Sequence, residues 1–513
     1  MNDFISNVIL LNVPFNNTYE HVLTFSNQTS QYNYFISKTV YNAGNNFNYI
    51  RKEGSIQIEK PIDTLYNCNY IMYQNTRFSN KWFYAFITDL SYVNEETTRI
   101  SFEIDVYQTF IFDVVLKNSF VEREHVSDDT IGLHTVPEQL ETGEYIWQTE
   151  QALMYVNYYI CFALTEDIKD ATPYPNNTYN RVYSGLTYVL VEDGTNAGRL
   201  IRSFDESARA NAIYTMFLVP RDMFDNVSLT WILYQDFSYA YVPTSNASFI
   251  MPSFETTKPV TLGDYTPRNN KLFCYPYRYL LVSNSNGQSA IYNFEDFEDN
   301  DSNTYKFSCY GAISPGCQIR IRPEQYKKGT YEEGLTCGKF PVCSWINDPY
   351  VNWLSQESVN MGLGLLSDAS SMISSASQNS GAAISTGLNA VFNTVSQIYT
   401  HSLIPKQAHV NTNSSELVFA LGNTGFRFYS MCIKPEYAKI IDDYFDMYGY
   451  KVNEVKIPNL NNRPNWNYVK TIGCNITADI PQIYIDKIKN IFDSGVTLWH
   501  NPNTIYDYSQ NNK

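Results

Sequence analysis

The strongest constraint on this chain is the alternation of large apolar and polar side chains between residues 81 and 107. Trp82, Tyr84, Phe86 and Thr88, then Ile100, Phe102, Ile104 and Val106, fall on one face at period two, with Ser101, Glu103 and Asp105 opposite. The linking residues Asn94-Glu95-Glu96-Thr97-Thr98 are polar and short, so the two runs read as an antiparallel hairpin. Residues 70–73 and 119–126 continue in the same style, and the first 126 residues read as one β domain, a barrel or a sandwich. Composition agrees: 43 Tyr and 30 Phe in a chain that is 44% hydrophobic and only 17% charged describe an ordered protein of short strands rather than a helical bundle or a disordered chain.

At 513 residues the chain is long enough for three or four units. Its 52 acidic and 36 basic side chains leave a net charge of -16, and residues 128–299, with 22 acidic and 10 basic side chains, carry -12 of it. That balance argues against tight, sequence-neutral nucleic-acid binding, which needs a basic face, but not against a passage through which DNA slides. Asp3 stands where a signal peptide would carry Lys or Arg, so the apolar run 8–13 reads as a strand, and nine scattered cysteines suit folding in a reducing cytoplasm.

Residues 128–345 have shorter strands and denser turn signals and read as one or two further β-rich units. Beyond Pro405 the pattern becomes α+β. Residues 435–448 suit a helix stopped by Gly449, residues 481–494 one stopped by Gly495, and a β-like run follows each, at 451–457 and 496–499.

Enzymatic signatures are weak. The densest titratable cluster, Glu122-Arg123-Glu124-His125, is accounted for by charges alternating on a solvated strand face. Hydrolase, Walker, dinucleotide and zinc-protease motifs are absent from the sequence. Cys309, Cys317, Cys337 and Cys343 are spaced too widely for structural zinc, and Asp299, Asp301 and Asn303 begin a calcium-like loop that lacks the required Gly and Glu. The run 295–301 reads as a solvated acidic loop. The expectation is a protein with no cofactor, no metal and no catalytic residue.

Between residues 358 and 401 the composition breaks: Asp368 is the only charged residue apart from His401, in a background of Ser, Ala, Gly, Asn, Met and Leu. Ile384, Leu388, Val391, Val395 and Ile398 recur at helical spacing, with Met361, Leu365, Met372 and Ile373 doing so less regularly. A buried helical hairpin or an oligomer seam accounts for this, and so does a membrane-active loop that brings almost no charge into a bilayer.

Several runs resemble a known family. Asn69-Tyr70-Ile71-Met72-Tyr73-Gln74-Asn75, residues 81–86, 102–109 and 119–126, and near the C-terminus residues 449–453 and 492–500, are similar to the distal tail or tail knob proteins of small short-tailed phages, the picovirus-type podophages. The resemblance covers about the first 126 and the last 70 residues and is one of position only in between. It implies a mainly β fold with an α+β C-terminal part: tail-tube-like β-barrel domains forming a hexameric tube, a β-rich knob, and a hydrophobic helical or disordered loop. The corresponding divisions are 1–130 (tube), 131–355 (acidic knob), 356–404 (loop) and 405–513 (C-terminal tube).

It further implies a virion protein of the tail tip, assembled in the host cytoplasm, whose partners are itself as a homohexamer, other tail proteins, double-stranded phage DNA in the lumen and the host cytoplasmic membrane. Leu363, Leu365, Leu366, Met372, Ile373, Ile384, Leu388, Val391, Phe392, Val395 and Ile398 are the residues expected to insert in that membrane. The excess acid is expected partly to line the bore. The competing expectation is a receptor-binding tail protein, or one that binds or degrades wall polymer.

Overall fold

The computed structural model describes residues 6–45, 54–76, 79–169, 178–179, 182–183, 186–242, 250–284, 287–298, 304–313, 318–327, 334–337, 342–344 and 424–513. They group into two compact units. The first comprises Met1–Gly143, Pro267–Leu272 and Pro435–Lys513, and the second Glu144–Thr266 and Phe273–Lys434.

In the first unit a six-stranded antiparallel sheet runs in the order Thr39–Asn45, Ser6–Leu11, Tyr70–Asn75, Trp82–Asn94, Thr97–Ile104, Ser55–Ile58. Its central strands are apolar on both faces. Val8, Leu10, Ile71, Tyr73, Phe83 and Ala85 enter one core with Ile488, Phe492 and Leu498, while Ile9, Leu11, Tyr70, Met72, Tyr84 and Phe86 enter another with Phe35, Trp466 and Trp499. The expected one-sided alternation is therefore corrected: Trp-Phe-Tyr-Ala-Phe at 82–86 is a continuous apolar run because core lies above and below it. The hairpin itself is present, turning at Glu95 and Glu96.

Its second strand ends at Ile104, three residues short of expectation. Asp105 accepts the backbone N–H of Gln108 at 3.0 Å, which makes it the N-cap of a short helix, Val106–Phe110, so Val106 lies on that helix and not on the strand. Tyr70 donates its hydroxyl to the same carboxylate at 2.7 Å, and burial pushes the Asp105 carboxyl up to about 6.

A five-stranded sheet in the same unit runs in the order His21–Leu23, Val496–Trp499, Trp466–Ile472, Ser119–Glu124, Tyr450–Lys456. Three of its strands come from the last 64 residues, and the strand at 119–124 is paired on both sides by them. The helices expected after Pro405 are present at Pro435–Tyr448 and Gln482–Ser494, followed by strands Tyr450–Lys456 and Val496–Trp499. A helix at Gln28–Ser37, capped by Asn27, lacks an apolar period and was not expected.

The second unit is also mainly β. Its six-stranded sheet runs Trp231–Tyr234, Phe237–Tyr241, Thr187–Val191, Tyr158–Leu164, Ile213–Pro220, Val342–Ser344. One face packs on the helix Gly194–Glu206 through Ala197, Leu200 and Phe204. The other joins a core shared with two four-stranded sheets, Tyr145–Met154, Gly425–Ile433, Arg278–Ser283, Ser289–Tyr292 and Ile250–Thr257, Thr304–Ala312, Gln318–Pro323, Leu335–Cys337. The expected solvated loop at 295–301 is corrected in part: Glu295 and Asp296 are buried, Glu295 accepting the backbone N–H of Tyr275 at 3.1 Å.

Gly449 ends the helix Pro435–Tyr448 at φ +64, and a Cβ placed there would lie 2.2 Å from the carbonyl oxygen of Glu124. Gly449→Ala combines left-handed strain with a backbone collision, and we expect a loss of about 2–4 kcal/mol in urea unfolding. A loss under about 0.5 kcal/mol would contradict this assignment of the helix stop.

Candidate functional site

Among the described residues, a dense set of titratable groups lies in the first unit, around the strand Ser119–Glu124. Arg123, Glu124 and His125 are buried, which overturns the expected solvated face. The sheet explains it: flanked on both sides by strands, 119–124 has no solvent edge, and each charge must find a partner inside. Glu122, still partly exposed, pairs with Lys470 at 2.8 Å.

Arg123 donates to the carbonyl of Gly449 at 2.8 Å and to the carboxylate of Glu138. Lys271 donates to the other oxygen of Glu138, which also accepts the backbone N–H of Lys451 at 2.9 Å. One buried carboxylate is thus shared by two cations brought from different parts of the chain. Arg123 and Lys271 also lie over the rings of Tyr444 and Tyr450, at 5.0 and 5.3 Å. Glu124 accepts from Asn459 N at 3.0 Å and from Lys456 Nζ at 2.7 Å.

A second set holds the inserted segment Pro267–Leu272. Asp442 and Asp446, one turn apart on the helix Pro435–Tyr448, face it. Asp442 accepts the backbone N–H groups of Arg268 and Asn269 at 2.7 and 3.1 Å and Nδ2 of Asn269 at 2.7 Å. Asp446 accepts Asn269 Nδ2 at 2.7 Å and pairs with Arg268 at 3.0 Å, and burial still raises its carboxyl above the ordinary range. Asp129 accepts the Tyr450 hydroxyl at 2.6 Å and the N–H of Asn270 at 3.1 Å. Burial first, and the Asp129 charge second, push the Tyr450 phenol far up.

His125 closes the set. Its Nδ1 accepts the backbone N–H of Tyr468 at 2.8 Å, so the proton sits on Nε2, which faces the carbonyl of Asp446 at 3.0 Å. Protonating Nδ1 would set two N–H groups against each other in a buried site. Burial lowers its pKa to about 3.

Every carboxylate here is engaged by donors, and the arrangement acts as a lock rather than as a nucleophile with a free base. An open cleft of about 780 Å³ elsewhere in the unit is lined by Ser119, Ile472, Asp486, Lys489 and Asp493, and there Asp493 already accepts the Thr471 hydroxyl at 2.6 Å and the Cys474 N–H at 2.9 Å. Cys309 is a buried free thiol in the second unit. Cys317, Asp299, Asp301, Asn303 and all eleven proposed membrane residues, Leu363 to Ile398, lie outside the described residues.

Sequence reading missed Glu138, Asn269, Lys271 and Asp442. Asp442 alone left a signal, since it stands at the helical spacing of the buried Ala438, Ile441 and Phe445. The others sit in segments without periodicity.

Removing one partner from a buried ion pair exposes the other to an uncompensated interior, so Glu138→Ala is expected to cost about 3–5 kcal/mol in denaturant unfolding, against under about 1 kcal/mol for Glu122→Ala. Equal effects would contradict the lock.

His125 also predicts a pH dependence. Unfolded, it takes a proton below about 6.5, whereas folded it does so only near 3, so its contribution is complete above 6.5 and lost as pH falls through that window. Asp105, with its raised carboxyl, acts in the opposite sense between about 4 and 6. Comparing wild type with His125→Asn isolates the histidine: the stability advantage of wild type should shrink by about 1 kcal/mol between pH 7.5 and 5.5. An unchanged difference would refute it.

Comparison with known proteins accords with this mainly β architecture. Residues 241–513 match the family described as Bacillus phage phi29, Tail knob protein gp9, C-terminal domain, and residues 6–117 match Caudoviral major tail protein N-terminus. The tail knob proteins gp9 of Bacillus phage PZA and Bacillus phage B103 are each 28% identical to this chain, and that of phi29 is 27% identical, with 98% of each chain covered. In fold the chain is similar to the bacteriophage C1 tail knob protein, gp12, with a TM-score of 0.66 at 15% identity and 99% of both chains covered. With more than half of its length matched by the family, the chain belongs to the phage tail knob protein gp9 family.

Proposed function

We propose that this protein is the structural knob of a short phage tail, that six copies surround a conduit for the double-stranded genome, and that residues 356–404 plug the conduit and, once released, enter the host cytoplasmic membrane. The observation that carries this reading is the extent of the likeness: tail knob proteins match over 98% of this chain and of their own length. The caudoviral tail-protein match over residues 6–117 supports a tube role for the first unit.

Physical chemistry supports the loop. A stretch whose one charged residue besides His401 is Asp368 avoids most of the cost that ionised side chains meet in a bilayer. A net charge of -16 suits a conduit, because an acidic wall repels phosphate and DNA does not stall on it.

Dye release from liposomes tests the loop. The full chain should release dye and a chain lacking residues 358–401 should not, and equal leakage from both would remove the membrane role. Mixed with duplex DNA at low salt, the full chain should form no retained complex. Tight binding that weakens steeply with salt would point to a basic lumen and contradict the conduit. Release of soluble sugar from host wall, or retention on wall polymer, would favour the receptor-binding or wall-degrading alternative.

A further inference from the structure

In the second unit, the sheet Tyr145–Met154, Gly425–Ile433, Arg278–Ser283, Ser289–Tyr292 has two unlike faces. Its inner face is packed by Phe426, Phe428, Leu280, Val282 and Tyr292. At the bulge between Trp147 and Thr149, Gln148 turns inward and accepts from the buried Arg278 at 2.6 Å. Trp147 is left pointing outward.

Register then builds an apolar outer face. Trp147, Met431 and Tyr279 are paired in one row across three strands, and Leu281 pairs with Ile291 in the next. Tyr145 and Tyr275 flank Tyr279, with ring centroids 5.5 and 6.0 Å away. Trp147 is 67% exposed, and Tyr275 and Ile291 are each 50% exposed. These three alone present roughly 350 Å², taking about 150–250 Å² for a whole large side chain. The half-buried rings beside them extend the patch to the upper end of what an ordinary monomer shows, and to half or more of the ~800 Å² per partner of a stable protein interface. The charges on this face are paired: Glu150, which ends the row of Tyr429, Leu281 and Ile291, with Arg427 at 2.6 Å, and Lys434 with Glu144.

We infer that this face is a contact surface for a second copy of the chain. An aromatic and methionine centre within a charged, internally neutralised rim is the anatomy of a protein interface, and the patch supplies half or more of the area that each partner of a stable interface buries. The inference rests on the ring reading above. In a six-fold ring each contact is heterologous, so the face meets a different surface of its neighbour and does not need to be self-complementary.

The test measures the oligomeric state of the full chain by light scattering and native mass spectrometry, for wild type, Trp147→Phe, and Trp147→Glu combined with Ile291→Glu. Wild type and Trp147→Phe should assemble alike, while the double substitution should weaken assembly by about tenfold or more with its thermal unfolding retained. A wild type that stays monomeric at all concentrations would overturn the ring reading itself. A wild-type ring with an equally stable ring in the double variant overturns this inference alone. If that double variant does not fold, a photo-crosslinking residue at position 147 replaces it: crosslinks to another copy support the contact, and their absence overturns it. A variant that keeps its ring but loses wall-glycan binding, or leaks dye early, would assign the face to a glycan or to residues 356–404 and so overturn the inference.

Discussion

The first unit depends on one pairing: the strand Ser119–Glu124 must be flanked on both sides by strands from the C-terminal part of the chain. Without Tyr450–Lys456 and Trp466–Ile472 it would present two open edges and unpaired buried charges. About 300 residues separate Gly143 from Pro435, yet the entropy of closing a loop grows only logarithmically with its length, about 0.6 kcal/mol per doubling. A large second unit can therefore interrupt the sequence of the first at modest thermodynamic cost. The cost falls on kinetics, because contacts so distant in sequence form late.

The buried charges make that closure specific. Apolar packing between the two sheets would tolerate shifts of register, since Val, Ile and Leu are exchangeable in area. Glu138 satisfied by Arg123, Lys271 and the N–H of Lys451 does not tolerate them, and neither does Asp442 holding the backbone of 268 and 269. A shift of one residue strands a charge in the interior at several kcal/mol. The cluster that looks most like an active site in the sequence thus acts as a register lock, which suits a protein whose family makes tails.

Much of the fold was legible locally. The helix at Pro435–Tyr448 and its Gly449 stop, the strand Val496–Trp499 and the hairpin around Glu95 are written in period, caps and turns within a dozen residues. Asp105 was misread because a strand face and an N-cap use the same polar residue, and only the position of Gln108 distinguishes them. The site was less legible. Its acids and bases are drawn from residues 123–138, 268–271 and 442–451, and no window of sequence contains them together.

By itself the sequence determined the mainly β class, the two C-terminal helices, the nearly uncharged stretch 358–401 and the resemblance to tail knob proteins, because each of these is encoded by neighbours or by composition. Tertiary structure alone decided that the two ends of the chain form one unit, that Arg123, Glu124 and His125 are buried, and that Trp147 lies on an outer aromatic face. The physical reason is the same in each case: burial belongs to the sheet and its neighbours, and a side chain of given chemistry is solvated or locked according to what pairs with its strand from far along the chain.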